Sequence, residues 1–221
     1  ILASASVAVM AQTGPPVETK AANSTYKPAF AGQTRIGSVK TKTPYSVTVI
    51  NSSLNGPWGI HVLPDGRLLI SSKPGAMQIL TTDGKVVKTI TGFPAVQFAG
   101  QGGLLDVTID PDFTSNRMIY WTYAQPGDGA TLAVAKGKLS ADETKLENVK
   151  VIWEAYPRFK GSGQFGSRIL FDKQGNLFVT SGDRMANEMR VKAQDLNVTT
   201  GKIIHITKEG KPFAGNPFIV K

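Results

Sequence analysis

The chain has 221 residues, 41% of them hydrophobic, with 23 glycines, 13 prolines and no cysteine. That is enough to bury a sizeable core, and the missing cysteines exclude a disulfide framework, a thiolate metal site and a cysteine nucleophile. The formal charge is +9, but the basic residues are scattered singly without interleaved aromatics, which describes a solvated basic surface and argues against nucleic acid as a partner.

Residues 1–11, ILASASVAVMA, are small and apolar and end in Val-x-Ala before a polar stretch. This reads as the truncated remnant of a secretory signal peptide cut after Ala11, and it predicts a periplasmic or secreted protein. No segment is long and apolar enough to predict a membrane span. Residues 12–44 are rich in Thr, Ser, Ala, Pro and Lys with no sustained period. They read as a linker or disordered arm. From Tyr45 onward the texture changes. Short apolar runs alternate with turn signals: YSVTVI, WGIHVL, RLLISS, AMQILTT and KVVKTIT, joined by tight Asp-Gly turns. Helical periodicity is nearly absent, and ANEMRVKAQDLN is the one candidate for a short helix or polar excursion.

The pattern then recurs. GIHVLPDGRLLISS, LLDVTIDPDFTSNRMIYWTYA and SRILFDKQGNLFVTSGD share a frame of apolar strand, turn, and second strand ending in small polar residues. Each is followed by a further strand or two. About three modules of four strands result, roughly residues 45–92, 100–155 and 160–210. Modules of this size predict an all-β fold, a β-propeller of four-stranded blades. Three blades do not close a ring, so residues 45–221 are expected to form the N-terminal half of a propeller domain, a fragment with uncovered blade faces that invite a dimer.

Four motifs carry a resemblance: GQGGLLDVTIDPDF, FGSRILFDKQGNLFVTSGDR, AQDLNVTTGKIIHI and PFAGNPF. In order and spacing the chain resembles the glucose/sorbosone dehydrogenase family, the soluble glucose dehydrogenases and aldose sugar dehydrogenases that use pyrroloquinoline quinone (PQQ). The resemblance implies a six-bladed propeller with calcium-bound PQQ, an aldose substrate and an external electron acceptor. It implies hydride transfer from the sugar C1 to the quinone while a histidine removes the hydroxyl proton. Most of the calcium ligands and of the groups gripping the PQQ carboxylates are implied to lie beyond this chain, which leaves the metal ligands here unknown.

The histidine's place is held by Gln164, and the aspartate implied to orient it is Asp183, nineteen residues on. An imidazole titrates near about 6.5, whereas a carboxamide takes up no proton at neutral pH, and losing a general base costs about 10²- to 10⁴-fold. Gln101 matches a position lining the cofactor and sugar site. Arg184 faces the acidic quinone or buttresses a blade, and Arg168 reads rather as a buttress. Asp106, Asp110 and Asp112 lack the spacing of a calcium loop, so the DPDF segment is a turn; Asn216 is likewise a turn residue. His61 and His205 read as strand histidines without a catalytic role. The principal reading is a PQQ-dependent sugar dehydrogenase. The alternatives are a non-catalytic propeller binding carbohydrate or protein, and a calcium-dependent lactonase of similar blade texture.

Overall fold

The computed structural model describes residues 14–22, 25, 27, 29–30 and 37–218. The signal-peptide reading of residues 1–11 therefore lies outside the described residues. The chain divides into two compact units, residues 1–48 and 49–221. Among the described residues of the first, an antiparallel bridge joins Pro16 and Gly37, and Ser38 N donates to Pro15 O at 2.8 Å. Residues 45–50, expected as a strand, form none, and Tyr45, Val47 and Val49 are exposed. Alternation of side chains supports a strand only where a neighbour takes up its backbone groups.

The second unit is built from consecutive antiparallel sheets, the blades of a β-propeller. The first sheet runs β1 (Pro57–Val62), β2 (Leu68–Ser72), β3 (Ala76–Leu80) and β4 (Val86–Ile90), each strand paired with the next. The second runs β5 (Leu104–Ile109), β6 (Met118–Gln125), β7 (Thr131–Leu139) and β8 (Leu146–Glu154), with the single-turn helix α1 (Phe113–Asn116) between β5 and β6. The third comprises β9 (Gly166–Phe171), β10 (Leu177–Ser181) and β11 (Lys202–Ile206), three strands among the described residues where the module pattern predicts four. The polar excursion folds as α2 (Asn187–Arg190) and a 3-10 turn, Val191–Gln194.

Burial follows from stacking. The middle sheet is covered on both faces, so β6 is buried at every position but its two ends, and β7 is buried almost throughout. The third sheet is covered on one face, and β9 and β10 alternate. One core lies between the first two sheets, where Leu69, Met77 and Ile79 meet Val107, Ile119 and Trp121. A second lies between sheets two and three, where Tyr120, Leu132 and Val134 meet Ile169, Leu177 and Val179.

A hydroxyl relay ties each sheet to the next. The first strand of every sheet is irregular near its start, between Pro57 and Ile60, between Leu104 and Val107, and in β9 opposite Val179–Ser181. Such a bulge frees backbone groups from the ladder. In the first sheet Ser71 Oγ accepts Gly59 N at 2.8 Å and donates to Leu105 O in the second sheet. In the second, Thr122 Oγ1 accepts Asp106 N at 3.0 Å and donates to Ser167 O in the third at 2.7 Å. Ion pairs repeat the coupling further out: Arg67 to Glu143 at 2.7 Å and Asp110 to Lys208 at 2.9 Å.

Candidate active site

β1, β5 and β9 pack side by side, so the loops entering them share one rim. Gln101 and Gln164 stand on two of these loops. Gln101 N donates to Ser162 O at 2.8 Å, and the Gln101 side-chain Oε1 accepts Gln164 N at 2.7 Å. Gln164 O in turn accepts Arg184 N at 3.1 Å. The residue is thereby held at φ +36°, in the left-handed region that costs a side-chain-bearing residue energy. Three other non-glycine residues at this rim share that feature: Ser167, Arg184 and Met185. Such clustering of strained backbone is a mark of functional sites. Close approach of the β8–β9 and β10–β11 loops is possible because position 182 has no side chain. A Cβ on Gly182 would lie 2.2 Å from Gln164 O.

A pocket of about 280 Å³ opens here, lined by Trp58, Lys73, Gln101, Leu105, Gln164, Phe165 and Gly166. Lys73 Nζ donates to Gly100 O at 2.8 Å, which fixes its ammonium at the rim. The Arg168 guanidinium lies 5.0 Å from the Trp58 ring and pairs with the buried Asp106 at 3.2 Å; Asp106 also accepts Ile169 N at 3.0 Å. Among the described residues, the buried hydroxyls of Ser72 and Ser167 have no hydrogen-bond partner. A larger hollow of about 520 Å³ runs along β11 and shares no residue with this pocket.

Of the residues singled out in the sequence, the structure brings Gln101 and Gln164 together. The Asp183 carboxylate lies outside that lining, accepting Met185 N at 2.9 Å and standing 3.8 Å from Arg190. Arg184 is buried. Its guanidinium donates to Gly163 O at 3.0 Å, to Ala130 O at 2.7 Å and to Gly161 O, and it lies 3.8 Å from the Phe165 ring centre. Burial pulls its pKa down to about 10, still charged at neutral pH. This is the geometry of a buttress, not of a group facing a cofactor. His61 lies on β1 with its pKa lowered by burial, against the opposing charge of Asp106. His205 is clamped between Phe178 and Phe213 and bonds Asp172 at 2.7 Å. Asp110 caps its turn through Asp112 N and pairs with Lys208. Asn216 Nδ2 donates to His205 O at 2.8 Å.

Trp58, Lys73 and Phe165 were not anticipated. Lys73 had a legible signal: in the repeat frame, ISSK ends where VTSG ends, so Lys73 occupies the place of Gly182 beside the rim.

Comparison with known proteins supplies the context. The family model described as Glucose / Sorbosone dehydrogenase matches residues 54–221. The chain is 35% identical over 177 residues to the aldose sugar dehydrogenase YliI of Escherichia coli strain K12, covering 79% of this chain and 47% of that protein. Among solved structures, one titled "glucose dehydrogenase" aligns with a TM-score of 0.75 at 36% identity, over 80% of this chain and 55% of that one. The PQQ-bound aldose sugar dehydrogenase of Streptomyces coelicolor aligns with a TM-score of 0.69 at 26% identity, over 77% and 50%. The chain spans about half the length of the curated relatives that it matches. With the motif order, the stacked four-stranded blades and these alignments in agreement, the chain belongs to the glucose/sorbosone dehydrogenase family.

Proposed function

We propose that the protein is an oxidoreductase of the PQQ-dependent sugar dehydrogenase type, acting on an aldose at C1. The observation that carries this is the joining of Gln101 and Gln164 across two loops at the mouth of one pocket. Family membership supports the assignment of cofactor and sugar to that rim.

The lining is compatible with PQQ, a flat heteroaromatic polyanion. Trp58 and Phe165 offer ring faces, Lys73 an ammonium for a carboxylate, and Gln101 and Gln164 hydrogen-bonding carboxamides. When bound, the quinone supplies the hydride acceptor, and an external electron acceptor completes turnover. Among the described residues no three His, Cys, Asp or Glu side chains group as ligands for calcium.

The chain's own part is to bind and orient. Lys73, held on Gly100 O, fixes one end of a planar anion, and Trp58 and Phe165 keep water from its edges. The Gln164 carboxamide holds a sugar hydroxyl without taking its proton, which predicts turnover about 10²- to 10⁴-fold below that of a site with a working base. The same amide favours a second reading, a propeller that binds carbohydrate without oxidising it. Secretion or export to the periplasm belongs with this proposal and rests on the reading of residues 1–11.

The experiment is dye-linked oxidation of a panel of aldoses by the protein supplied with PQQ and calcium. Slow, PQQ-dependent turnover of at least one aldose is expected. No turnover on any of them with PQQ demonstrably bound would overturn the dehydrogenase reading in favour of binding alone.

A further inference from the structure

Trp58 forms part of the pocket wall, yet the sheet that carries it does not fix its direction. The register of β1 against β2 shifts between Pro57 and Ile60, so Trp58 and Gly59 lie in the irregular stretch. A side chain in a bulge takes its aim from what packs on it. The half-buried indole has the Arg168 guanidinium 5.0 Å from its ring centre. Arg168 belongs to β9 in the third sheet and does not itself line the pocket. It reaches across the second sheet to touch a ring of the first.

Asp106 is the group that aims it. This buried carboxylate accepts Ile169 N at 3.0 Å with one oxygen and pairs with Arg168 at 3.2 Å through the other. The first contact fixes the carboxylate to β9, and the second holds the guanidinium. Gly59, the neighbour of Trp58, makes the room. A Cβ there would lie 2.9 Å from Asp106 Oδ1 and 3.0 Å from Asp106 Cα. Gly59, Asp106 and Arg168 occupy the same place in their three sheets, since their amides donate in turn to the hydroxyls of Ser71, Thr122 and Thr180. At that level the sheets carry, in order, no side chain, an acid and a base. The Arg168 side chain is 62% exposed, and an unpaired arginine so exposed keeps most of its rotamer freedom. Here a buried partner and an aromatic ring restrict it.

We propose that Arg168, aimed by Asp106, is a positioning residue for Trp58, and that together they hold the indole as a preset wall for a flat aromatic anion. The identity of that anion rests on the quinone reading of the pocket given above. The chemistry suits such a ligand. An aromatic face is negative and disfavours an anion, and a guanidinium against the ring offsets that charge. A ring that is already fixed also loses little freedom when the ligand arrives.

The test reads the brace and the ligand separately. The emission of Trp58 is the difference between the protein and Trp58→Phe, since Trp121 and Trp153 remain in both. Arg168→Lys keeps a cation for Asp106 but lacks the planar fork, and it alters an exposed side chain, so the far-UV circular dichroism is expected to persist. Asp106→Asn keeps an acceptor for Ile169 N but lacks the charge. Without PQQ, both variants are expected to make the Trp58 emission at least about twofold more accessible to acrylamide. PQQ affinity, measured by isothermal titration calorimetry, is expected to fall at least about tenfold in each. In a Trp58→Ala background Arg168→Lys is expected to change that affinity less than about twofold, because its effect runs through the indole. A tie that served stability alone would cost the same in both backgrounds. Should Asp106→Asn fail to fold, Arg168→Lys decides alone. Unchanged accessibility of Trp58 in Arg168→Lys, or an equal loss of affinity with and without the indole, would overturn the proposal. Absence of PQQ binding by the unaltered protein would instead overturn the quinone reading, and the acrylamide comparison would then decide whether the brace exists.

Discussion

Gln164 has its amide N–H bound by Gln101, its carbonyl bound by Arg184 N, and its φ at +36°. Bonds at both backbone ends offset the cost of this disfavoured conformation. Arg184 supports that backbone from below, since its guanidinium gathers carbonyls of Gly161 and Gly163 on the same loop and of Ala130 at the edge of β7. Arg184→Met keeps much of the volume but strips those carbonyls of their donor. The expected loss of stability is about 2–4 kcal/mol, measured by urea denaturation, because buried acceptors are left unsatisfied. Arg184→Lys is not expected to rescue it, since one ammonium does not span three diverging carbonyls. An unchanged denaturation midpoint in both variants would show that the guanidinium is not holding the loop.

At the scale of the elements, the β9–β10 hairpin is fastened to β11 by one carboxylate. Asp172 accepts Gln174 N and Asn176 N at 2.8 Å each, and His205 Nε2 lies 2.7 Å away. Burial alone would raise the Asp172 pKa, but bonds from Asn176, His205 and Gln174 outweigh it and bring the value down to about 2. The folded value is thus below the unfolded one, near about 3.9. The stabilisation is fully present above about pH 4 and is lost as the pH falls toward about 2. Asp172→Asn is expected to lower the melting temperature at neutral pH and to flatten its dependence between those limits. A melting profile parallel to that of the unaltered protein across this window would contradict the assignment. The strands themselves were legible in the sequence because stacked sheets need short apolar runs closed by tight turns. Residues 45–50 misled because their alternation lacks a pairing partner, which no local pattern reveals.

For the whole molecule, the repeat frame made the stacking of sheets readable, and the glycine-flanked amides Gln101 and Gln164 stood out within it. Trp58 did not, because it reaches the pocket only when the first strands of different sheets come side by side. Arg184 was ambiguous for the same reason: a charge beside a Gly-Asp turn looks available until the loop of a neighbouring strand closes over it. The proposed function rests on the family resemblance, which implies that Gln164 at this rim holds the place of the base. Histidine tolerates left-handed backbone comparatively well, so Gln164→His is compatible with the conformation found here. The most direct measurement is the rate of PQQ-dependent aldose oxidation by Gln164→His relative to the unaltered protein, both with cofactor bound. A rise of at least about tenfold is predicted, the low end of what a restored general base supplies. Equal rates in the two proteins, with PQQ saturating and the fold intact, would contradict the placement of Gln164 at the reacting hydroxyl.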